Sequence, residues 1–111
     1  MPTFITQGRY TREALKGMVV SPEDRAATVS RLFSKAGGRL IGYYMTFGDY
    51  DFLVIADVPS ETQMAAVLLA VGSGGGVTGL KTMLAMTSVE AKGAFAAAGD
   101  LAPGFRSAGG V

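Results

Sequence analysis

Gly48-Asp49-Tyr50-Asp51 puts two carboxylates and a phenol within four residues, between two apolar runs. Such a knot can do chemistry, or it can only turn the chain. Gly48 supplies a positive φ and Asp49 can hydrogen-bond the backbone beside it, so a turn accounts for both. Tyr50 and Asp51 then fall on opposite faces of the strand that follows. In a structural role Tyr50 packs, and Asp51 caps the turn or pairs with an arginine. In a chemical role one of them stands at a cavity mouth. A partly buried Asp51 with a raised pKa would then serve as a general base for proton abstraction next to a carbonyl.

A second set of polar groups falls at strand ends: Gln7, Arg9, Tyr43, Tyr44 and Lys81. Arg9 and Lys81 could hold a substrate carboxylate or phosphate, the arginine by a two-pronged contact. Alternatively they snorkel at a sheet edge or pair with Asp51 or Asp57. Tyr43 and Tyr44 are adjacent, so one faces the helices and the other the opposite side, each fit for packing with a satisfied hydroxyl. The catalytic candidates are therefore Asp51, Tyr50 and Arg9, and the ligand-binding candidates Tyr43, Tyr44, Lys81 and Gln7. No metal site is expected. Only carboxylates are available, and Asp51 and Asp57 lie about 20 Å apart along one strand. Residues 72–76, GSGGG, suggest a phosphate loop, but a helix precedes and a strand follows, the reverse of the order such loops need.

The composition removes several function classes. The 111 residues include no cysteine and no histidine, so disulfides, thiolate nucleophiles and imidazole bases are excluded. Ten basic residues against nine acidic leave a net charge of +1, with no bulk attraction to nucleic acid or to a membrane surface. The strands also lack the basic, aromatic-interleaved stripe of a single-strand RNA platform. No apolar run reaches spanning length, and the first residues lack a leader pattern, so a cytoplasmic protein is the expectation. No cofactor is expected.

What could position these groups is a small α+β sheet. Residues 3–11 alternate and are rich in β-formers, which predicts a strand. Ser21 as N-cap, Pro22 at the first helical position and Asp24 two further on predict a helix with Ala26, Val29, Leu32, Phe33 and Ala36 on its apolar stripe, closed by Gly37 and Gly38. Residues 39–47 and 50–58 predict two strands joined by a tight turn near Gly48, hence an antiparallel hairpin. Pro59 stops the second of them, and Ser60 caps a helix carrying Met64, Val67, Leu68 and Val71. Residues 77–88 predict a fourth strand and 89–99 a short helix. The expected domain covers residues 1–98, and residues 99–111 are expected to form a flexible Gly/Ala-rich tail.

The order β-α-β-β-α-β predicts a ferredoxin-like fold, with two helices on one face of a four-stranded antiparallel sheet. By strict alternation one face of the second strand carries Leu40, Gly42, Tyr44 and Thr46, and the other Ile41, Tyr43, Met45 and Phe47. Both faces of the sheet come out substantially apolar, and 49% of the chain is hydrophobic. A face left in water would expose more apolar surface than soluble monomers usually show, which predicts two sheets stacked across a two-fold axis.

Gly48-Asp49-Tyr50-Asp51 followed by FLVIADVP, together with the opening TFITQGRYT and the later TGLKTMLAMTSVE, resembles the GYD domain family over roughly residues 3 to 92. Gly, Tyr and Asp of the family's motif are present, with Asp49 inserted after the glycine. The resemblance implies a ferredoxin-like domain that pairs into a dimeric α+β barrel. It implies no general activity. Three functions stay open: a binding or sensing module with an apolar pocket at the sheet or subunit interface, taking a small apolar or carboxylate-bearing ligand; a cofactor-free isomerase or monooxygenase-type enzyme using Asp51, Tyr50 or Arg9; and a structural homo-oligomer without ligand.

Overall fold

In the central strand, β1 (Thr3–Tyr10), every second residue is buried: Phe4, Thr6 and Gly8 face one way. β3 (Phe52–Asp57) does the same with Phe52, Val54 and Ala56. The two strands pair antiparallel, Phe4 opposite Ala56 and Gly8 opposite Phe52, so their inward residues form one continuous apolar floor. β2 (Arg39–Met45) pairs with the far side of β3, and β4 (Val77–Ala85) with the far side of β1. The sheet order is β2-β3-β1-β4, all antiparallel. This α+β structure, a computed structural model, describes residues 1–110.

Two helices cover the floor. α2 (Ala26–Lys35) packs on β2 and buries Phe33, and α3 (Glu61–Ser73) packs on β4 and buries Met64 and Val67. As the sequence predicts, Ser60 caps α3, its hydroxyl accepting from the Gln63 N–H. Gly37, at φ 79°, turns the chain out of α2 while the Gly38 N–H reaches back to the Phe33 carbonyl. Gly38 allows a close approach, since a Cβ there would collide with the Asp57 carbonyl oxygen. Gly8 has a similar role, because a Cβ on it would meet the Phe52 ring at 2.5 Å.

The entry to α2 differs from the expectation. Ser21 does not cap it. Residues Arg12–Val20 form an additional helix, α1, capped by the Thr11 hydroxyl, and Ser21 is its C-terminal cap. Pro22 cannot continue a helix, so it ends α1 rather than opening α2. The capping of α2 falls to Asp24, whose carboxylate accepts from the Ala26 N–H at 2.9 Å.

Strict alternation also fails in β2. Leu40 pairs with Ala56 and Gly42 with Ile55, so Ile41 is an extra residue bulged out of the ladder. Beyond the bulge Tyr43 stands opposite Val54, on the covered face with Leu40, not on the face of Ile41. Tyr44 goes to the open side and is 58% exposed. A second irregularity, between Gln7 and Arg9, is matched by Gly79 at φ 62° in β4.

The last helix, α4 (Ser88–Leu101), runs past the point where the sequence predicts the tail to begin, and leads into a 3-10 turn at Ala102–Gly104. Thr87 and Glu90 close a full capping box at its start. None of its residues is buried. The molecule is 60 Å long and only 32 Å and 22 Å across, with a radius of gyration of 18.1 Å. A compact chain of this length would have about 13 Å. α4 is therefore an arm, standing off the body. Among the described residues no helix is long and apolar enough to cross a membrane.

Candidate functional site

Between the sheet floor and the two covering helices lies a cavity of about 390 Å³. That is within the size range of small-molecule pockets. Its walls are apolar: Val29, Leu32 and Phe33 from α2, Met64, Val67 and Leu68 from α3, Phe52 and Val54 from the floor, and Leu80 from β4. Four polar side chains besides Thr6 reach it: Tyr10, Tyr43, Arg25 and Thr28.

The two tyrosines come from strands on either side of β3. Their hydroxyls share a hydrogen bond. Phe52 sits between them, its ring centroid 5.1 Å from Tyr10 and 6.2 Å from Tyr43. Gly8 leaves the room that the Phe52 ring fills. Burial, and then the bond to Tyr10, push the Tyr43 phenol well above its usual range, so it stays protonated at neutral pH. In such a pair one hydroxyl donates to the other, which leaves one O–H free to donate elsewhere. Deeper on the floor, Thr6 and Thr82 satisfy one another at 2.8 Å. Among the described residues no buried side-chain polar atom lacks a partner.

Arg25 and Tyr10 also line a second, shallower cleft of about 380 Å³ beneath α1, together with Ser21 and Glu23. They stand at the boundary between a mostly apolar chamber and a more polar one. Arg25 pairs with Glu23 through one guanidinium nitrogen at 3.0 Å, with both side chains substantially exposed.

Of the catalytic and ligand-binding candidates from the sequence, only Tyr43 reaches this cavity. Gln7 and Lys81 sit directly opposite one another on the central and edge strands, on the open side of the sheet with Tyr44. Asp51, Tyr50 and Arg9 do come together, at the end of the β2–β3 hairpin. The Asp51 carboxylate accepts from the Tyr10 N–H at 2.9 Å, the Asp51 N–H donates to the Gly8 carbonyl, and the Thr46 N–H donates to the Asp51 carbonyl. Arg9 donates from Nε to the Asp49 carbonyl at 2.7 Å and lies 5.2 Å over the Tyr50 ring. Gly48, at φ 117°, makes the turn. Each group is thus engaged in holding the hairpin to β1. Asp57 pairs with Arg39 at 3.1 Å and takes the Thr3 hydroxyl at 2.6 Å, and the Thr3 bond first, then Arg39, holds its carboxyl below the ordinary range. Among the described residues no three acidic side chains gather as a metal site.

Sequence reasoning does not find Tyr10, Arg25 or Thr28. Tyr10 is within reach, since it ends the Phe4, Thr6, Gly8 alternation. Arg25 and Thr28 fall four residues before Val29 and Leu32, in line with the apolar stripe of α2, but nothing in their own types marks them as lining a cavity.

The GYD domain profile matches residues 4–95. The chain is 30% identical over 83 residues to a Thermus thermophilus protein named "Glutamine synthetase and cystathionine beta-lyase binding protein", covering 75% of this chain and 84% of that one. The crystal structure of TTHA0845, also from Thermus thermophilus, superposes with a TM-score of 0.52 at 17% identity, over 78% of this chain and 95% of that one.

Proposed function

Because the chain belongs to the GYD domain family, we propose that it is a self-associating binding module, whose ligand enters between the sheet and α2 and α3. The observation that carries this reading is the cavity itself. Its apolar walls and the few polar groups gathered at one side are what a small-molecule site needs.

Self-association is supported by surfaces the chain cannot cover alone. Ile41, Tyr44 and Met83 are 51%, 58% and 42% exposed on and around the uncovered side of the sheet. Val89, Phe95, Leu101 and Phe105 lie open along α4 and its extension. A second copy of the chain would bury both sets. The Thermus thermophilus relative's name, as a protein that binds two enzymes, favours a second reading, in which the same surfaces dock on an enzyme.

Native mass spectrometry of freshly purified protein separates these. An even-numbered oligomer that carries an extra small mass, lost on denaturation, is the expected result. Bare single subunits at micromolar concentration would remove self-association and leave only the enzyme-docking reading.

A further inference from the structure

We infer that the cavity takes an apolar monocarboxylate, its carboxylate held between Arg25 and the Tyr10–Tyr43 hydroxyl pair and its hydrocarbon part lying among Val29, Leu32, Val67 and Leu68. This rests on the binding-module reading and names the ligand class for the same site.

The head-group position follows from the two cavities. Arg25 and Tyr10 line both the apolar chamber and the cleft beneath α1. A molecule with one charged end and one apolar end would keep the charge at that boundary and the rest against the apolar walls. The donors there suit a carboxylate. Arg25 uses one nitrogen on Glu23 and has further N–H groups to offer as a fork. The tyrosine pair offers one free O–H. Two acceptor oxygens match that set. A phosphate dianion would call for a second cation, and Arg9 and Lys81 lie away from this cavity. A cationic head would meet Arg25 and a protonated phenol. Glu23 and Asp24 are the acidic groups nearby. Asp24 is occupied by the Ala26 N–H, and Glu23 competes for Arg25. Glu23 shares Arg25 with the incoming anion and so weakens its hold.

The test uses decanoate, decanol and decyltrimethylammonium, with binding to the full chain measured by isothermal titration calorimetry. Decanoate should bind at least about tenfold more tightly than decanol, since a charge-assisted hydrogen bond carries roughly that much. Arg25→Gln should remove that preference and leave decanol unchanged. Tyr43→Phe should weaken decanoate several-fold. Glu23→Gln should tighten decanoate by freeing the guanidinium. Equal affinities for decanoate and decanol, both lost in a Val67→Trp variant that fills the chamber, would overturn the head-group assignment and keep the pocket. Failure of all three probes to bind the wild-type chain, with circular dichroism showing it folded, would overturn the pocket and this inference together.

Discussion

α3 and α4 are close to the same helix by local measure. They have 13 and 14 residues, each begins with a hydroxyl cap followed by a glutamate in the first turn, and both are rich in alanine. Yet α3 buries Met64 and Val67 against the sheet, and α4 buries nothing. The difference lies in what each helix is set against. α3 is tied at both ends to strands of one sheet, so its apolar residues fall on a floor already made by β1 and β3. α4 leaves the edge strand β4 pointing outward, and no strand of the sheet follows it among the described residues. Local sequence thus decides that a helix forms, and the connections decide what it covers. An isolated helix of this length is marginal in water, so α4's persistence depends on its capping box and on whatever packs against it.

Paired substitutions give the widest separation between the two helices. Met64→Ala should lower the stability of the chain by about 2–5 kcal/mol, the usual cost of emptying a buried site. Phe95→Ala, at a side chain 78% exposed, should change the stability of dilute protein in urea by no more than about 0.5 kcal/mol. Its effect should show instead as a weaker oligomer in light scattering. A large loss of monomer stability in Phe95→Ala would mean that α4 folds back on its own body, and the comparison would fail.

A smaller effect distinguishes the caps. Ser60→Ala and Thr87→Ala each remove a hydroxyl that accepts a first-turn N–H, a change worth about 1 kcal/mol in general. In α3 this should appear in global unfolding. In α4 it should appear only as faster hydrogen exchange of residues 88–93.

A pH dependence confined to the covered side sets the two faces of the sheet apart. Burial raises the Tyr43 phenol in the folded chain. In the unfolded chain it ionises near its ordinary value, about 10. Above that pH the unfolded state has lost a proton that the folded state keeps. Stability is therefore constant through neutral pH and falls as pH rises past about 10. Tyr43→Phe should flatten that decline in thermal melts, while Tyr44→Phe, on the open side, should leave it in place.

Much of the fold can be read from spacing. Alternation places the strands, the 3.6-residue period places α2 and α3, and Ser60, the Gly37-Gly38 pair and residues 72–76 mark their ends. α1 escapes such a reading because it buries no residue fully and Gly17 interrupts its short stripe of Ala14, Leu15 and Met18. Its one clear punctuation, Ser21-Pro22, reads equally well as a beginning and as an end. The candidate site is less legible. Tyr43 stands out in the sequence, but Tyr10 and Arg25 meet it only through tertiary structure. The Gly48-Asp49-Tyr50-Asp51 knot reads both as a turn and as a site, because polar groups in the two look alike in one dimension.

The extra residue at Ile41 has a consequence for chain length. It absorbs one step of the pleat, so that everything from Gly42 onward meets β3 in the phase it would have if Ile41 were absent. A chain shorter by that single position would keep its phenol in the same chamber, and the hairpin would simply straighten. At this point the spacing of the tyrosine from the strand's start is free to vary without disturbing the interior, whereas the same deletion further along, past Gly42, would send Tyr44's neighbour to the wrong side of the sheet.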